Sequence, residues 1–459
     1  MLSSLITPIR VGLKRGILER SRGWSRAELD AHQAREAAVL RRFALERSPF
    51  YRRFHKGLEN APLEELPILT KAAMMEAFDE LVTDRAVRLA EAEEHLKNRA
   101  GAELFRGRYV VLSTSGSTGR RGVFLFNKTE WISVLANIAR PILWSGIAGR
   151  ITKPPRTAMI ASRTPWHYSA RVTQSLTTRL LPSLHLDAAE PIVTIVRRLN
   201  EWQPEFLAGY PSVVRELAEE QKAGRLKIRP RGISTAAEVL TAETRRRLRQ
   251  TWGVKVFDTY GATEYAPIAA ECAFGRKHLV EDGAIIEVVD ERGRAMPAGE
   301  AGEKILLTVF HSRTQPLIRY EISDVVRLET GGSACECGRA FRVMGSIEGR
   351  VEEVLQFGAV SVHPNVFHEV LEMVPAAGWQ VVQDEAGLTV NLAGLRDAAV
   401  CDAIARELGM ALSRQGAQAS IQVRMVEALE RGATGKAPLV MSKMRRERAA
   451  GAGATEVSV

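Results

Sequence analysis

No apolar run of about 18 residues occurs in the 459-residue sequence, so no helix able to cross a bilayer is expected. The first stretch, MLSSLITPIRVGLKRG, is broken by Pro8 and Arg10 and makes a poor signal peptide. Four cysteines in a chain of this length frame no disulfide-stapled fold, and a reducing, cytoplasmic setting is expected. Aromatic residues are scarce, at 6%, and none interleave with the basic clusters RRRLR (245–249) and KMRRER (443–448). The net charge of +10 therefore lacks the stacking platform of a nucleic-acid surface and suits a small polyanion better. No internal repeat is visible.

What is present indicates an α/β protein. Apolar residues make up 45% of the chain, enough for a buried core, and the length suggests two to four domains. Residues 28–56 read as an amphipathic helix stopped by SPF, and YVVLS (109–113) as a short strand. From 157 onward, β-like and helical patterns alternate: TAMIAS, PIVTIVRRLNEW, PEFLAG, PSVVRELAEEQKAG, GIST, TAETRRRLRQTWG. That alternation predicts a mostly parallel, doubly wound sheet. Residues 279–330 change to short strands with turns at DERG and PAGEAG, an antiparallel, barrel-like section. A small α+β unit follows near Gly349. The expected division is a large N-terminal domain (1–348), a small mobile C-terminal domain (349–442) and a disordered tail (443–459).

One loop stands out. TSGSTGRRG (114–122) follows the strand YVVLS and is neither GxxxxGK[ST] nor GxGxxG. By composition it is equally a flexible turn or an anion cradle. Its hydroxyls, amide N–H groups and two arginines could converge on one anion, and its small residues let the backbone approach phosphate closely.

This loop resembles the phosphate-binding motif of the adenylate-forming superfamily, and four further motifs of that superfamily follow it in order. FDTYGATE (257–264) is similar to the second, LIRYEISD (317–324) to the third, GRVEEVLQFGAVSVHP (349–364) to the hinge motif, and TGKAPLV (434–440) to the last. ERSPFYRR, LPILTKAAM, WHYSAR and TAAEVL resemble segments of the phenylacetate–CoA ligase-like, or CapK-like, branch. The resemblance implies that Thr114, Ser115, Gly116, Ser117, Thr118, Gly119, Arg120 and Arg121 surround the phosphates of ATP. It also implies that Tyr260 packs on adenine, with Asp258 near the base's amino group and Ala237, Glu238, Gly261 and Thr263 beside them. By the same resemblance Asp324 holds the ribose, Arg350 touches it, Glu264 binds Mg²⁺, and Lys436 reaches the carboxylate and α-phosphate. Trp166, His167, Tyr168, Tyr210 and Pro211 are candidates for the acid pocket. The loop departs from the usual G-K-P-K-G ending, being one residue shorter and carrying arginines, and the hinge acid is Glu352 rather than Asp.

The implied activity is ATP- and Mg²⁺-dependent formation of an acyl adenylate with pyrophosphate release, then acyl transfer to coenzyme A. The acid implied is small and aromatic or arylacetic. A stand-alone acyl carrier protein or an amine as acceptor, nucleotidyl transfer, and a non-catalytic nucleotide-binding role stay open alternatives. The oligomeric state is open, a homodimer included.

A second constellation is Cys272 and His278 in ECAFGRKH with Cys335 and Cys337 in ACECGR. Three thiolates and an imidazole suit tetrahedral, structural Zn²⁺; free buried cysteines beside an unrelated surface histidine are the alternative, since CxC lacks the familiar CxxC spacing. The resemblance supports zinc, because relatives of this branch carry such a site there.

Overall fold

The structure, a computed structural model, describes residues 2–98, 103–114, 121–146, 154–176, 182–331, 335–350, 354–358, 360–362, 364–374, 376–395, 397–432 and 435–444.

The N-terminal part is helical. Ser25 caps the helix Arg26–Arg47 with a reciprocal box to Glu28. The single helix expected over 28–56 is two helices. Pro49 has no N–H to continue the ladder and holds Ser48 extended (ψ 115°), so a new helix, Pro49–Phe54, starts there with Ser48 as its cap.

Strands β1 (Tyr109–Ser113) and β2 (Val123–Asn127) form an antiparallel pair, Ser113 opposite Val123, and the loop 114–122 joins them. Next come β3 (Thr157–Ala161), β4 (Ser183–Asp187), β5 (Phe206–Gly209), β6 (Gly232–Ala236) and β7 (Val256–Tyr260), all parallel. The helices between them place Ile195, Leu199, Val213, Leu217 and Leu248 in one buried cluster with Ile160, Leu207 and Ile233 of the strands. Burial of these apolar faces is what fixes the layered βα arrangement. β8 (Ala269–Glu271) and β9 (Lys277–Leu279) continue the sheet antiparallel.

The section from 279 supplies two sets of strands. β10 (Ala284–Val289), β11 (Lys304–Val309) and β12 (Tyr320–Ile322) form a three-stranded antiparallel sheet. β13 (Asp324–Leu328) and β14 (Val343–Arg350) return to extend the main sheet, whose order is β13-β14-β9-β8-β7-β6-β5-β3-β4. β14 runs through 349, so the position expected to open the small domain lies in a strand of the large one.

Beyond it, β15 (Leu355–Phe357) and β16 (Val360–Val362) pair as a ribbon. β17 (Gly378–Asp384), β18 (Gly387–Ala393), β19 (Ile421–Val426) and β20 (Val440–Ser442) form a four-stranded sheet. Trp379, Phe367, Leu371 and Leu408 fill a core of its own behind that sheet.

Two histidines outside the site make stability depend on pH. His55 is fully buried, and desolvation, then Arg41, pushes its pKa down to about 4. His311 is pushed to about 4 by burial, then by Lys14 and Arg313. Both are neutral when folded but protonate near 6.5 when unfolded. Between those values the unfolded chain binds more protons, so stability present above pH 6.5 is lost as pH falls toward 4. Urea midpoints are expected to drop from pH 7 to pH 5, with a smaller drop in His55→Phe. Identical midpoints for wild type at the two pH values would refute this.

Candidate active site

The chain lays β4 on one side of β3 and then β5, β6 and β7 on the other. Such a reversal opens a crevice beyond the carboxyl ends of the strands, here β3 and β5, where open α/β sheets bind ligands. The segment Ser162–His167 leaves β3 there, and Tyr210 and Pro211 leave β5, Pro211 opening the helix Pro211–Lys222. They are fastened together. Ser162 N donates to Tyr210 Oη at 2.9 Å, and Ser162 Oγ lies 2.8 Å from His167 Nδ1. A cleft of about 400 Å³ lined by Arg163, Asp187, Ala189 and Glu190 opens at the neighbouring ends of β3 and β4.

The base of the loop 114–122 reaches the same place. Ser113 N donates to Trp166 O at 3.0 Å. Gly122 N donates to Thr114 Oγ1 at 2.9 Å, and Thr114 N to Gly122 O at 3.0 Å. The Thr114 hydroxyl thus closes the loop's neck. Ser115, Gly116, Ser117, Thr118, Gly119 and Arg120 lie outside the described residues; Arg121 is exposed beside the crevice. His167 is pushed down to about 4 by burial, then by the positive charges of Lys436 and Arg121. Its ring is therefore neutral near pH 7.

Lys436 arrives from the small domain. Its Nζ stands 5.6 Å from the centre of the Tyr210 ring. The turn carrying it rests on the end of β4: Gly435 has φ +74°, and a Cβ there would lie 2.7 Å from the Ala188 carbonyl carbon. Only glycine satisfies both the left-handed backbone and the close approach.

A second group gathers after β7. Tyr260 Oη donates to Asp324 Oδ2 at 2.5 Å, which joins the expected adenine-side ring to the expected ribose acid. Asp324 opens β13 directly opposite Arg350 of β14; the Arg350 side chain lies outside the described residues. Glu264 is 5% exposed and accepts a hydrogen bond from Tyr320 Oη at 3.0 Å. Gly261 has no room for a side chain, since a Cβ would stand 2.8 Å from that of Ala266, and Thr263 is half-buried in the same turn. Asp258 shares the Tyr260 face of β7, but Lys277 and the Thr235 hydroxyl already occupy its carboxylate. Tyr168 is half-buried at the start of a helix, with its hydroxyl 3.4 Å from Ala266 O.

Glu238 is placed unexpectedly. Ala237 before it takes φ +70°, unusual for a residue with a Cβ. This aims the Glu238 carboxylate at Ser212 N (3.0 Å), Ser212 Oγ (3.1 Å) and Ala437 N (3.1 Å) rather than leaving it open to a base. Burial raises its pKa, with Ser212, Lys436 and Ala437 acting the other way. Nothing in the sequence marks Ser212, Ala437 or the Arg431–Glu216 pair (2.5 Å) as partners, because they come from segments about two hundred residues apart that only the fold brings together.

Away from the crevice, the hairpin β8–β9 carries Cys272 and His278, and the loop into β14 brings Cys335 and Cys337 against them. Their ligand atoms all lie within 4.8 Å of one another, and His278 is fully buried, which removes the surface-histidine alternative. Cys337 Sγ is 3.3 Å from His278 Nε2. His278 Nδ1 lies 3.0 Å from Phe341 O, a partner that would leave Nε2 available to a metal. Glu352 lies outside the described residues, and so does the expected tail from 445 onward.

The chain matches the AMP-binding enzyme family over residues 106–308. It is 32% identical over 227 residues to a phenylacetate–coenzyme A ligase of Thermus thermophilus, covering 47% of this chain and 49% of that one. It is 22% identical over 285 residues to protein CapK of Staphylococcus aureus, covering 60% and 56%. The matches thus span about half the length of these curated relatives. Among solved structures, 2-hydroxyisobutyryl-CoA ligase in its postadenylation state superposes with a TM-score of 0.74 at 19% identity, over 95% of this chain and 94% of that one. The same enzyme in its thioesterification state gives 0.60 at 17% identity, with the same coverage. The fold overlays more closely on the former.

Proposed function

We propose, for a chain that belongs to the adenylate-forming superfamily in its phenylacetate–CoA ligase-like branch, the ATP-dependent activation of a small carboxylic acid followed by acyl transfer to coenzyme A. The observation that carries this reading is Lys436 seated over Tyr210 at the sheet's switch point, beside His167 and Arg121. A carboxylate attacking the α-phosphate brings two anions together. Lys436 would neutralise both at the point of bond formation, and Arg121 with the loop 114–122 would hold the departing pyrophosphate. Tyr260 and Asp324, already joined, would receive adenine and ribose.

Glu264 is a buried carboxylate beside a neutral phenol, a donor that suits Mg²⁺; the ion would offset phosphate charge. Cys272, His278, Cys335 and Cys337 fit Zn²⁺ by ligand type, mutual distance and the His278–Phe341 contact. With four protein ligands its role would be structural.

The aromatic residues Trp166, Tyr168 and Tyr210 that follow β3 and β5, together with the relative named for phenylacetate, favour an aryl or arylacetic acid. The test is ATP–pyrophosphate exchange across aryl, arylacetic and short aliphatic acids, with mass spectrometry of the product formed on adding CoA. Exchange with at least one acid and a new acyl-CoA are expected. No acid-dependent exchange anywhere in that set would overturn the reading.

A further inference from the structure

We propose that Glu238 is a positioning residue: its carboxylate latches the small domain in the arrangement that brings Lys436 over the crevice, and lets go for acyl transfer. The inference rests on the two-step reading above and adds a residue that decides between the steps.

The geometry is specific. Oε2 of Glu238 accepts from Ser212 N, and Oε1 accepts from both Ser212 Oγ and Ala437 N. Ser212 lies in the first turn of the helix Pro211–Lys222, one residue past the proline that follows Tyr210. Ala437 directly follows Lys436 and is 2% exposed. One carboxylate therefore ties the backbone beside Lys436 to the backbone beside the ring under its ammonium group. Two of the three bonds lie within the large domain and persist whatever the small domain does. The third exists only when the domains are closed.

The rest of this contact is also polar. Arg431 pairs with Glu216 of the helix Pro211–Lys222 at 2.5 Å and donates to Gly435 O at 3.0 Å. Thr241 Oγ1 donates to Glu372 at 2.9 Å, and Arg215 to Ala376 O at 2.9 Å. A seam of directional polar bonds can open at small net cost, because water replaces them, unlike an apolar seam. Within it Glu238 stands out for acting on the residue next to Lys436. Glutamine is its isostere but keeps a single acceptor oxygen, which can serve Ala437 N or Ser212 N but not both, so either amide orientation sets an N–H₂ against a backbone N–H and the latch is weakened while the volume is kept.

The test is Glu238→Gln, with Glu216→Gln for comparison. We expect kcat for acid-dependent exchange to fall about 10- to 50-fold in Glu238→Gln, the scale of losing one charge-assisted bond. KM for ATP should stay within about two-fold, and acyl transfer from supplied acyl adenylate to CoA should be undiminished. Glu216→Gln, whose pair is partly exposed, should lose much less. A rise in KM for ATP with kcat intact would assign Glu238 to the base instead, and equal loss in both half-reactions would make it merely structural; either result overturns the latch. If wild type itself shows no exchange, the functional reading fails, and solution scattering then decides the latch alone. The Glu238→Gln protein should be measurably more extended than wild type, and matching profiles would sink it.

Discussion

Lys436→Ala should lower acid-dependent ATP–pyrophosphate exchange by about 100-fold or more, while acyl transfer from supplied acyl adenylate stays within a few-fold of wild type. The magnitude is that of removing one preorganised charge from a water-poor site where negative charge develops. The asymmetry has a structural cause. Lys436 sits on a turn held at the crevice by the Gly435–Ala188 approach and the Glu238–Ala437 bond, among other contacts. In the proposed mechanism the domains part for the second step, that turn would leave Tyr210, and the thiol reaction would proceed without it. Lys436→Arg should rescue poorly. It retains the charge, but the ammonium lies 5.6 Å over the ring and a guanidinium is longer and planar. Equal loss of both half-reactions in Lys436→Ala would contradict the two-arrangement mechanism.

The second large effect concerns the Cys/His cluster. Protein purified without added metal should carry about one zinc per chain, and Cys337→Ser should lose it. A zinc held by these four residues would tie the hairpin β8–β9 to the loop before β14, and releasing such a tie costs several kcal/mol. At ~2–4 °C per kcal/mol for domains of a few hundred residues, melting should fall by roughly 10 °C. The site is linked to the N-terminal region too: Arg339, beside Cys337, stacks 4.3 Å over Trp144 and lies 3.7 Å from Glu19. The early helices should therefore loosen with the metal, read as faster proteolysis there. Below the new melting point, exchange activity should be largely kept, because none of the four residues lines the cleft at the ends of β3 and β4. A metal-free wild type that melts at the usual temperature would refute the assignment.

The sequence by itself determined the sheet and the chemistry-bearing segments. Runs such as TAMIAS and PEFLAG alternate with helical patterns because one face of each element must be buried, and that periodicity survives in one dimension. The order of the loop 114–122, Glu264, Asp324 and Lys436 is likewise readable, since each belongs to a short segment whose local turn or strand places it. Local rules also placed the helix break at Pro49, although a continuous amphipathic pattern concealed it.

Tertiary structure decided whatever depends on which distant atoms meet. Asp258 and Glu238 both read as base-side acids, yet Lys277 and Thr235 engage the first and Ser212 and Ala437 the second. The pairing of Tyr260 with Asp324, and the convergence of Cys272 and His278 on Cys335 and Cys337, arise from the order in which β13, β14, β9, β8 and β7 lie side by side. A carboxylate's partner is set by a few ångströms and by competition among all donors that packing brings near. Periodicity records which face is buried; it carries no information about which donor, two hundred residues away, arrives there first.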